Sequence, residues 1–240
     1  MYSIKTEKLT KKFKDKIAVN EIDLKIKQGE LFALLGVNGA GKTTTIKMLS
    51  GLILPTSGSI KIENMDMNKD VFKIKEILNV SPQETAIAPN LTVKENLEFM
   101  AGVYQIKDKY KKINELVKLF KLDEVLNKKT KTLSGGTMRK VSIAISLINN
   151  PKILFLDEPT LGLDVIARKE LWKVINELKG KITIILTTHY MEEAESLSDR
   201  IGIMSNGNIV EIGTSRELIK KTKTKNFEDA FISIATGGEQ

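Results

Sequence analysis

Apolar positions alternate with polar ones from Ile4 to Leu9 and again from Ile22 to Ile26, the period of half-buried strands. Leu31-Phe32-Ala33-Leu34-Leu35 is instead an unbroken apolar run, which reads as a strand covered on both faces. Helical spacing follows from Lys42 to about Leu49. Leu54-Pro55-Thr56-Ser57-Gly58-Ser59 is turn chemistry, and Ile60 to Ile62 a short strand. From about Glu84 to Asn149 the period changes. Val93 to Gly102, Lys109 to Lys121 and Ser134 to Ile148 are spaced as helices, with little strand signal between them. Strand runs resume at Ile153 to Leu156, Thr183 to Thr187 and Ile201 to Met204, alternating with helices as in a parallel sheet. Ile209 to Ile212 reads as a last strand, and Ser215 to Lys221 and Phe227 to Ile234 as a terminal helical pair.

This order predicts an α/β fold whose core is discontinuous in sequence. Residues 1–83 and 151–213 form the core, residues 84–150 a helical subdomain inserted in it, and residues 214–240 a C-terminal helical extension. No internal repeat or low-complexity tract interrupts it.

Between the buried strand and the first helix stands Gly36-Val37-Asn38-Gly39-Ala40-Gly41-Lys42-Thr43-Thr44, the pattern G-x-x-x-x-G-K-[ST]. Its glycines let the backbone curl around phosphate oxygens at positive φ with no Cβ in the way. Lys42 brings a point charge to the β- and γ-phosphates, the Thr43 hydroxyl can coordinate Mg²⁺, and the helix N-terminus favours an anion. The spacing of Gly36, Gly39 and Gly41 does not fit the dinucleotide pattern G-x-G-x-x-G, and a following Lys-Thr pair belongs to triphosphate chemistry. The reading is a nucleotide triphosphate with Mg²⁺.

Composition narrows the partners. The 240 residues carry a formal net charge of +8, but 34 of the 38 basic residues are lysines interleaved with acidic ones, the pattern of a solvated surface. Four arginines and few aromatics provide no stacking platform for nucleic acid, and none is expected as a partner. The chain has no cysteine, so it holds neither a disulfide framework nor a thiolate metal site, as fits a reducing cytosol. Met1-Tyr2-Ser3-Ile4-Lys5 lacks the apolar stretch of a signal peptide, and charges interrupt every apolar run short of about 18 residues. No membrane crossing by this chain is expected.

Two further features carry chemistry. Ile153-Leu154-Phe155-Leu156-Asp157-Glu158 is an apolar strand ending in two carboxylates, which delivers them to the C-terminal edge of a sheet where ligands bind. Asp157 suits the Mg²⁺ shell, and Glu158 can act as general base on an attacking water. Leu133-Ser134-Gly135-Gly136-Thr137 precedes a helix that Ser134 can cap, making a second anion site separate from the first.

With these residues in this order the chain resembles the ATP-binding cassette family over nearly its whole length. The phosphate loop, Gln83, Ser134-Gly135-Gly136, Asp157-Glu158, Gly162-Leu163-Asp164 and His189 carry the likeness. The resemblance implies a P-loop NTPase core of RecA-like type with an antiparallel β subdomain and the inserted helices. It implies that Phe13 stacks on adenine, that Gln83 links Mg²⁺ and the attacking water to the helical subdomain, and that His189 contacts the γ-phosphate. Taken one at a time, Phe13 also reads as a core aromatic, Gln83 as a surface amide and His189 as a strand-end imidazole. Trp172, on the helix after Asp164, reads as packing.

In such a family Ser134 and the Gly136 N–H of one subunit complete the phosphate-loop site of another, so two MgATP sit between two cassettes arranged head to tail, and Asp164 lies beside them. The second cassette is either a copy or a different chain. The tail Phe227-Glu228-Asp229-Ala230-Phe231-Ile232, then Thr236-Gly237, resembles ATPase subunits of bacterial drug, antibiotic-peptide and sodium exporters. It implies separate membrane-spanning permease subunits and a peripheral place on the cytoplasmic face of the cell membrane. A soluble cassette ATPase working on nucleic acid, ribosomes or protein assembly is the alternative. Two departures stand out: Thr137 where the family commonly has Gln, and Leu161 where it often has Ser.

Overall fold

The computed structural model describes residues 1–237; the last three residues of the expected C-terminal extension lie outside it. The first part of the chain gives strands β1 (Tyr2–Phe13), β2 (Lys16–Ile22), β3 (Lys25–Lys27) and β4 (Leu31–Leu35), helix α1 (Lys42–Leu49), β5 (Ser57–Ile62), β6 (Met65–Asp66), α2 (Val71–Ile77) and β7 (Leu78–Ser81). Three helices follow, α3 (Val93–Val103), α4 (Lys109–Phe120) and α5 (Gly135–Ser146). The chain then runs β8 (Ile153–Asp157), α6 (Val165–Leu178), β9 (Thr183–Thr188), α7 (Met191–Leu197), β10 (Arg200–Ser205), β11 (Asn208–Gly213), α8 (Ser215–Thr222) and α9 (Phe227–Ala235).

The apolar runs become the middle of a six-stranded sheet ordered β11-β10-β4-β9-β8-β7, parallel except for β11. Every residue of β4, β8 and β9 is buried. The period of two survives inside these runs as a choice of face. Leu154 and Leu156 pack with α3, α4, α5 and α6, while Ile153 and Phe155 pack with α1 and a second, antiparallel sheet of β2-β1-β5-β6, with β3 pairing β1. Ala33 and Leu35 of β4 join a third cluster with α7, α8 and α9. Truncating a side chain such as Phe155 to Ala at this junction costs about 3–5 kcal/mol.

The predicted strand Ile22 to Ile26 is not continuous. Ile22, Leu24 and Ile26 are all buried, hence the alternation, but between them side chains take over part of the ladder, of which the Thr6 N–H to Leu24 O bond (2.9 Å) remains. The Lys8 N–H donates to Asp23 Oδ1 (2.7 Å) and the Leu24 N–H to Thr6 Oγ1 (2.9 Å), so one strand ends at Ile22 and the next begins at Lys25. β1 also runs on past Leu9. Lys8 takes φ +46° and the pairing register shifts beyond Leu9, as at a bulge, which breaks the apolar alternation without ending the strand. That extension carries Phe13 forward. The spacing missed α2 and β7, because α2 buries only Ile74 and β7 only its two end residues.

Candidate nucleotide-binding site

The phosphate loop leaves β4 at Gly36 and enters α1 at Lys42. Gly39 and Gly41 have φ +82° and +106°, a region side chains resist. A Cβ on Gly36 would stand 2.3 Å from the Met204 carbonyl oxygen, and one on Gly41 2.4 Å from that of Ala18, so the loop lies directly on β10 and β2. Gly41 caps α1 with no side-chain hydrogen bond. The first amides of the helix, Lys42, Thr43 and Thr44, therefore have no acceptor within it and suit an anion.

Parallel pairing brings the second set of groups to the same edge. Leu35 pairs with Thr188 and Asp157 with Thr187. Asp157 Oδ1 accepts from the Thr187 hydroxyl (2.5 Å) and the Thr43 hydroxyl (3.1 Å). Lys42 Nζ donates to the carbonyls of Gly36 (2.7 Å) and Val37 (3.2 Å) and stands 3.4 Å from Glu158 Oε1. On its other oxygen Glu158 meets His189 Nδ1 at 2.7 Å. The Glu158 N–H donates to Thr187 Oγ1 (3.0 Å) and to its carbonyl (3.1 Å). At φ +48° the Glu158 backbone is strained by about 1–3 kcal/mol, a cost that these bonds offset.

These groups border one cleft of about 570 Å³, lined by Phe13, Lys16, Ala18, the loop residues Asn38, Gly39 and Gly41 to Thr44, Gln83, Glu158, Leu161 and His189. Phe13 is half exposed there, not a core aromatic, with the Lys11 ammonium 5.1 Å from its ring centroid. Gly36, Val37 and Ala40 belong to the loop without lining the cleft: Val37 is exposed, and Ala40 is buried with its N–H on Val37 O. Asp157 lies buried beneath Thr43.

The remaining predicted residues stand elsewhere. Ser134 and Gly136 line a second cleft of about 290 Å³ with Thr137, Asp164 and Ile166. Ser134 caps α5 by accepting from the Thr137 N–H (3.3 Å), and its hydroxyl pairs with that of Thr137 (2.9 Å), a local use for the threonine at that position. Gly135 opens the first turn of α5 and is exposed. Asp164 caps α6, accepting from the Ala167 N–H at 2.9 Å. A Cβ on Gly136 would stand 3.1 Å from that of Ala167, so α5 and α6 approach closely here.

The donors near Thr43 fit Mg²⁺. That ion keeps waters and phosphate oxygens and needs only one or two protein oxygens. The Thr43 hydroxyl and Asp157 supply that, and the described residues hold no cluster of three or more His, Cys, Asp or Glu such as an all-protein metal cage requires.

Two buried groups escaped the sequence reading. Arg139 is 5% exposed on α5 and donates only to backbone carbonyls. Burial pulls its guanidinium down to about 10, against the opposing pull of Asp157, Glu193 and Glu158, and it stays charged at neutral pH. No local signal marks it: Ser142 and Ser146, three and seven residues on, give its side of the helix a polar pattern, and its burial comes from the packing of α5. Glu193 is fully buried on α7, and its Oε1 accepts from the Thr160 hydroxyl (2.8 Å) and the Trp172 indole (3.0 Å). Burial raises its pKa, countered by the nearby Thr188 hydroxyl, by the hydrogen bonds from Trp172 and Thr160 and by Arg168. Trp172 thus does more than pack.

Comparison with known proteins decides the family. The model of the ABC transporter family matches residues 19–161. The chain belongs to the ABC transporter family. Within it, this is the ATP-binding cassette, the part that binds and hydrolyses ATP. The cassette is 39% identical, over 96% of its length, to a probable multidrug ABC transporter ATP-binding protein, YbhF, of Escherichia coli, of which it spans 41%. It is 38% identical over 91% of its length to the linearmycin resistance ATP-binding protein LnrL of Bacillus subtilis, of which it spans 71%. Among solved structures it superposes on an ABC transporter ATP-binding subunit with TM-score 0.86 at 27% identity, covering 96% of this chain and 98% of that one. A dimeric cassette in a post-hydrolysis state with ADP and Pi matches with TM-score 0.79 at 28% identity, over 88% of this chain and 98% of that one.

Proposed function

We propose that the cassette powers a membrane exporter. Two MgATP are held between two cassettes arranged head to tail, and hydrolysis moves membrane-spanning subunits carried on separate chains at the cytoplasmic face of the cell membrane. Residues 1–83 and 151–213 act as the ATP-binding core, residues 84–150 as the subdomain that passes the motion on, and residues 214–240 as a helical extension. The observation that carries the chemistry is Glu158, at a strand end and in contact with both Lys42 and His189. In this reading Lys42 and the loop amides bind the β- and γ-phosphates, Phe13 stacks on the base, and Glu158 takes a proton from the attacking water. His189, 2.7 Å from Glu158, orients that carboxylate and contacts the γ-phosphate. When bound, Mg²⁺ neutralises phosphate charge, and Thr43, Asp157 and Gln83 are the residues to hold it.

The head-to-tail pair is supported by the separation of the two anion sites. The phosphate loop and Ser134 line different clefts of one chain. Near them Leu161, Val165 and Ile166 expose apolar side chains, with Ile166 75% exposed, a surface suited to a second cassette. Export follows the names of the relatives, one a multidrug and one a linearmycin resistance protein.

Glu158→Gln keeps the shape of the site and removes the base. With ATP it is expected to bind nucleotide, run as a dimer on size-exclusion chromatography and lose turnover; brisk hydrolysis by this variant removes Glu158 from the role. Co-purification with a polytopic membrane protein that transports cargo in vesicles supports export. RNA-stimulated ATPase activity without a membrane partner supports the soluble alternative.

A further inference from the structure

Arg139 spends every donor it has on the two loops that frame the nucleotide cleft. A guanidinium carries five N–H groups in a planar fork. Here Nε donates to Pro159 O (2.9 Å), one terminal nitrogen to Pro82 O (2.5 Å) and Gln83 O (3.1 Å), and the other to Asp157 O (2.6 Å) and Glu158 O (3.0 Å). Two of those carbonyls follow β7 and three fall at the end of β8. The first loop carries Gln83 to the cleft and the second carries Glu158. Arg139 itself stands on α5, whose tip is Ser134, in the other cleft. One side chain thereby ties the helix that ends in the second anion site to both backbone segments of the first.

The Glu158 backbone, at φ +48°, is the part most in need of support. Thr187 holds its N–H, and Arg139 holds the carbonyls on and around it. We propose that Arg139 is a positioning residue: through its five-carbonyl fork the orientation of α5 sets the placement of the Glu158 carboxylate and the Gln83 loop, so that docking of a neighbour at the Ser134 tip aligns the site for hydrolysis. The proposal rests on the reading of Glu158 as base. Arg139 touches neither nucleotide nor water in it and acts on backbone alone.

A lysine keeps the charge but has three donors on a single atom and cannot bridge five carbonyls across two loops. Arg139→Lys is therefore expected to bind ATP within about twofold of the wild-type affinity while kcat falls roughly ten- to a hundredfold, the scale of a misplacement of about 1 Å. Wild-type kcat in Arg139→Lys overturns the proposal, and so does a loss confined to ATP affinity. Arg139→Ala supplemented with ethylguanidinium is expected to regain turnover that ethylammonium does not restore; equal effects of the two cations count against the fork. Glu158→Gln, assayed alongside, separates the two levels. Turnover by that variant removes the base assignment beneath the proposal, whereas a silent Glu158→Gln with a fast Arg139→Lys removes the proposal alone. If the Arg139 variants do not fold, guanidinium N–H exchange measured by NMR on protein with native Arg139 replaces them. Exchange is expected to differ between the resting chain and the ATP-loaded Glu158→Gln dimer, and identical rates in both states overturn the coupling.

Discussion

Gly41→Ala tests whether the phosphate loop is held where it is by contact with its neighbours or only by its own backbone angles. Gly39 and Gly41 both sit at positive φ, +82° and +106°, so an alanine at either meets the same kind of backbone strain. Their surroundings differ. A Cβ on Gly39 meets nothing within 4 Å, whereas one on Gly41 stands 2.4 Å from Ala18 O and 2.7 Å from Met204 Cε. Ordinary contact begins at 3.4 Å, so the loop or β2 must shift by about 1 Å, and the obstacle at Ala18 is backbone that cannot rotate away. Overpacking of this kind costs about 1–3 kcal/mol beyond the shared strain. For a chain of this size that separates the melting temperatures of the two variants by roughly 2–12 °C, with Gly41→Ala the lower. Displacing the loop amides also weakens turnover, by a factor on the order of 100 for a shift of about 1 Å. The assay is thermal unfolding followed by ATPase rates at saturating MgATP. Variants that melt within about 1 °C of each other, with similar rates, refute the argument from contact.

Thr187→Val removes the hydroxyl that donates to Asp157 and accepts from the Glu158 N–H. It is expected to lower stability by about 1–3 kcal/mol and to reduce kcat more than ATP affinity, as urea unfolding and steady-state kinetics would report. Glu193 gives a pH signature. Its folded pKa is raised above the ordinary 4.5, so the folded chain binds the extra proton, and the stability this contributes is full below about pH 4.5 and lost as pH rises through the folded value. Glu193→Gln keeps an acceptor for Thr160 and Trp172 but cannot ionise. It should gain on the wild type as pH rises, and melting curves that stay parallel from pH 5 to 8 contradict this.

Much of the architecture was legible because burial left its period in the sequence. The runs at Leu31 and Ile153 read as strands since both of their faces are covered, and the helices α3 and α4 since each buries one face, whereas α5 is buried all round from Val141 to Ser146. What was not legible depended on partners distant in the chain. Nothing local reveals that Asp23 and Thr6 side chains interrupt the ladder after Ile22, or that a bulge near Lys8 lets β1 continue to Phe13. The phosphate loop and Asp157-Glu158 could be read as chemistry because each is contiguous. The Thr187 hydroxyl, which joins Asp157 to Glu158 from 30 and 29 residues away, could not. Arg139 shares its helical phase with Ser142 and Ser146 and so gave no sign of burial, and its purpose appears only when Pro82 and Asp157 lie beside each other. Glu193 stands beside Glu192 in the first turn of α7, and nothing local distinguishes it; only folding brings Thr160 and Trp172 to its carboxylate.

The central claim is that one cassette supplies the cradle and its neighbour the serine-bearing helix tip for the same triphosphate. The most direct measurement is the structure of the Glu158→Gln chain trapped with MgATP. The account predicts a two-fold pair in which Ser134 Oγ of one copy lies within hydrogen-bond distance, about 2.5–3.0 Å, of a γ-phosphate oxygen bound at Lys42 of the other. A nucleotide-loaded structure with Ser134 facing solvent, or a pair joined through another surface, contradicts it.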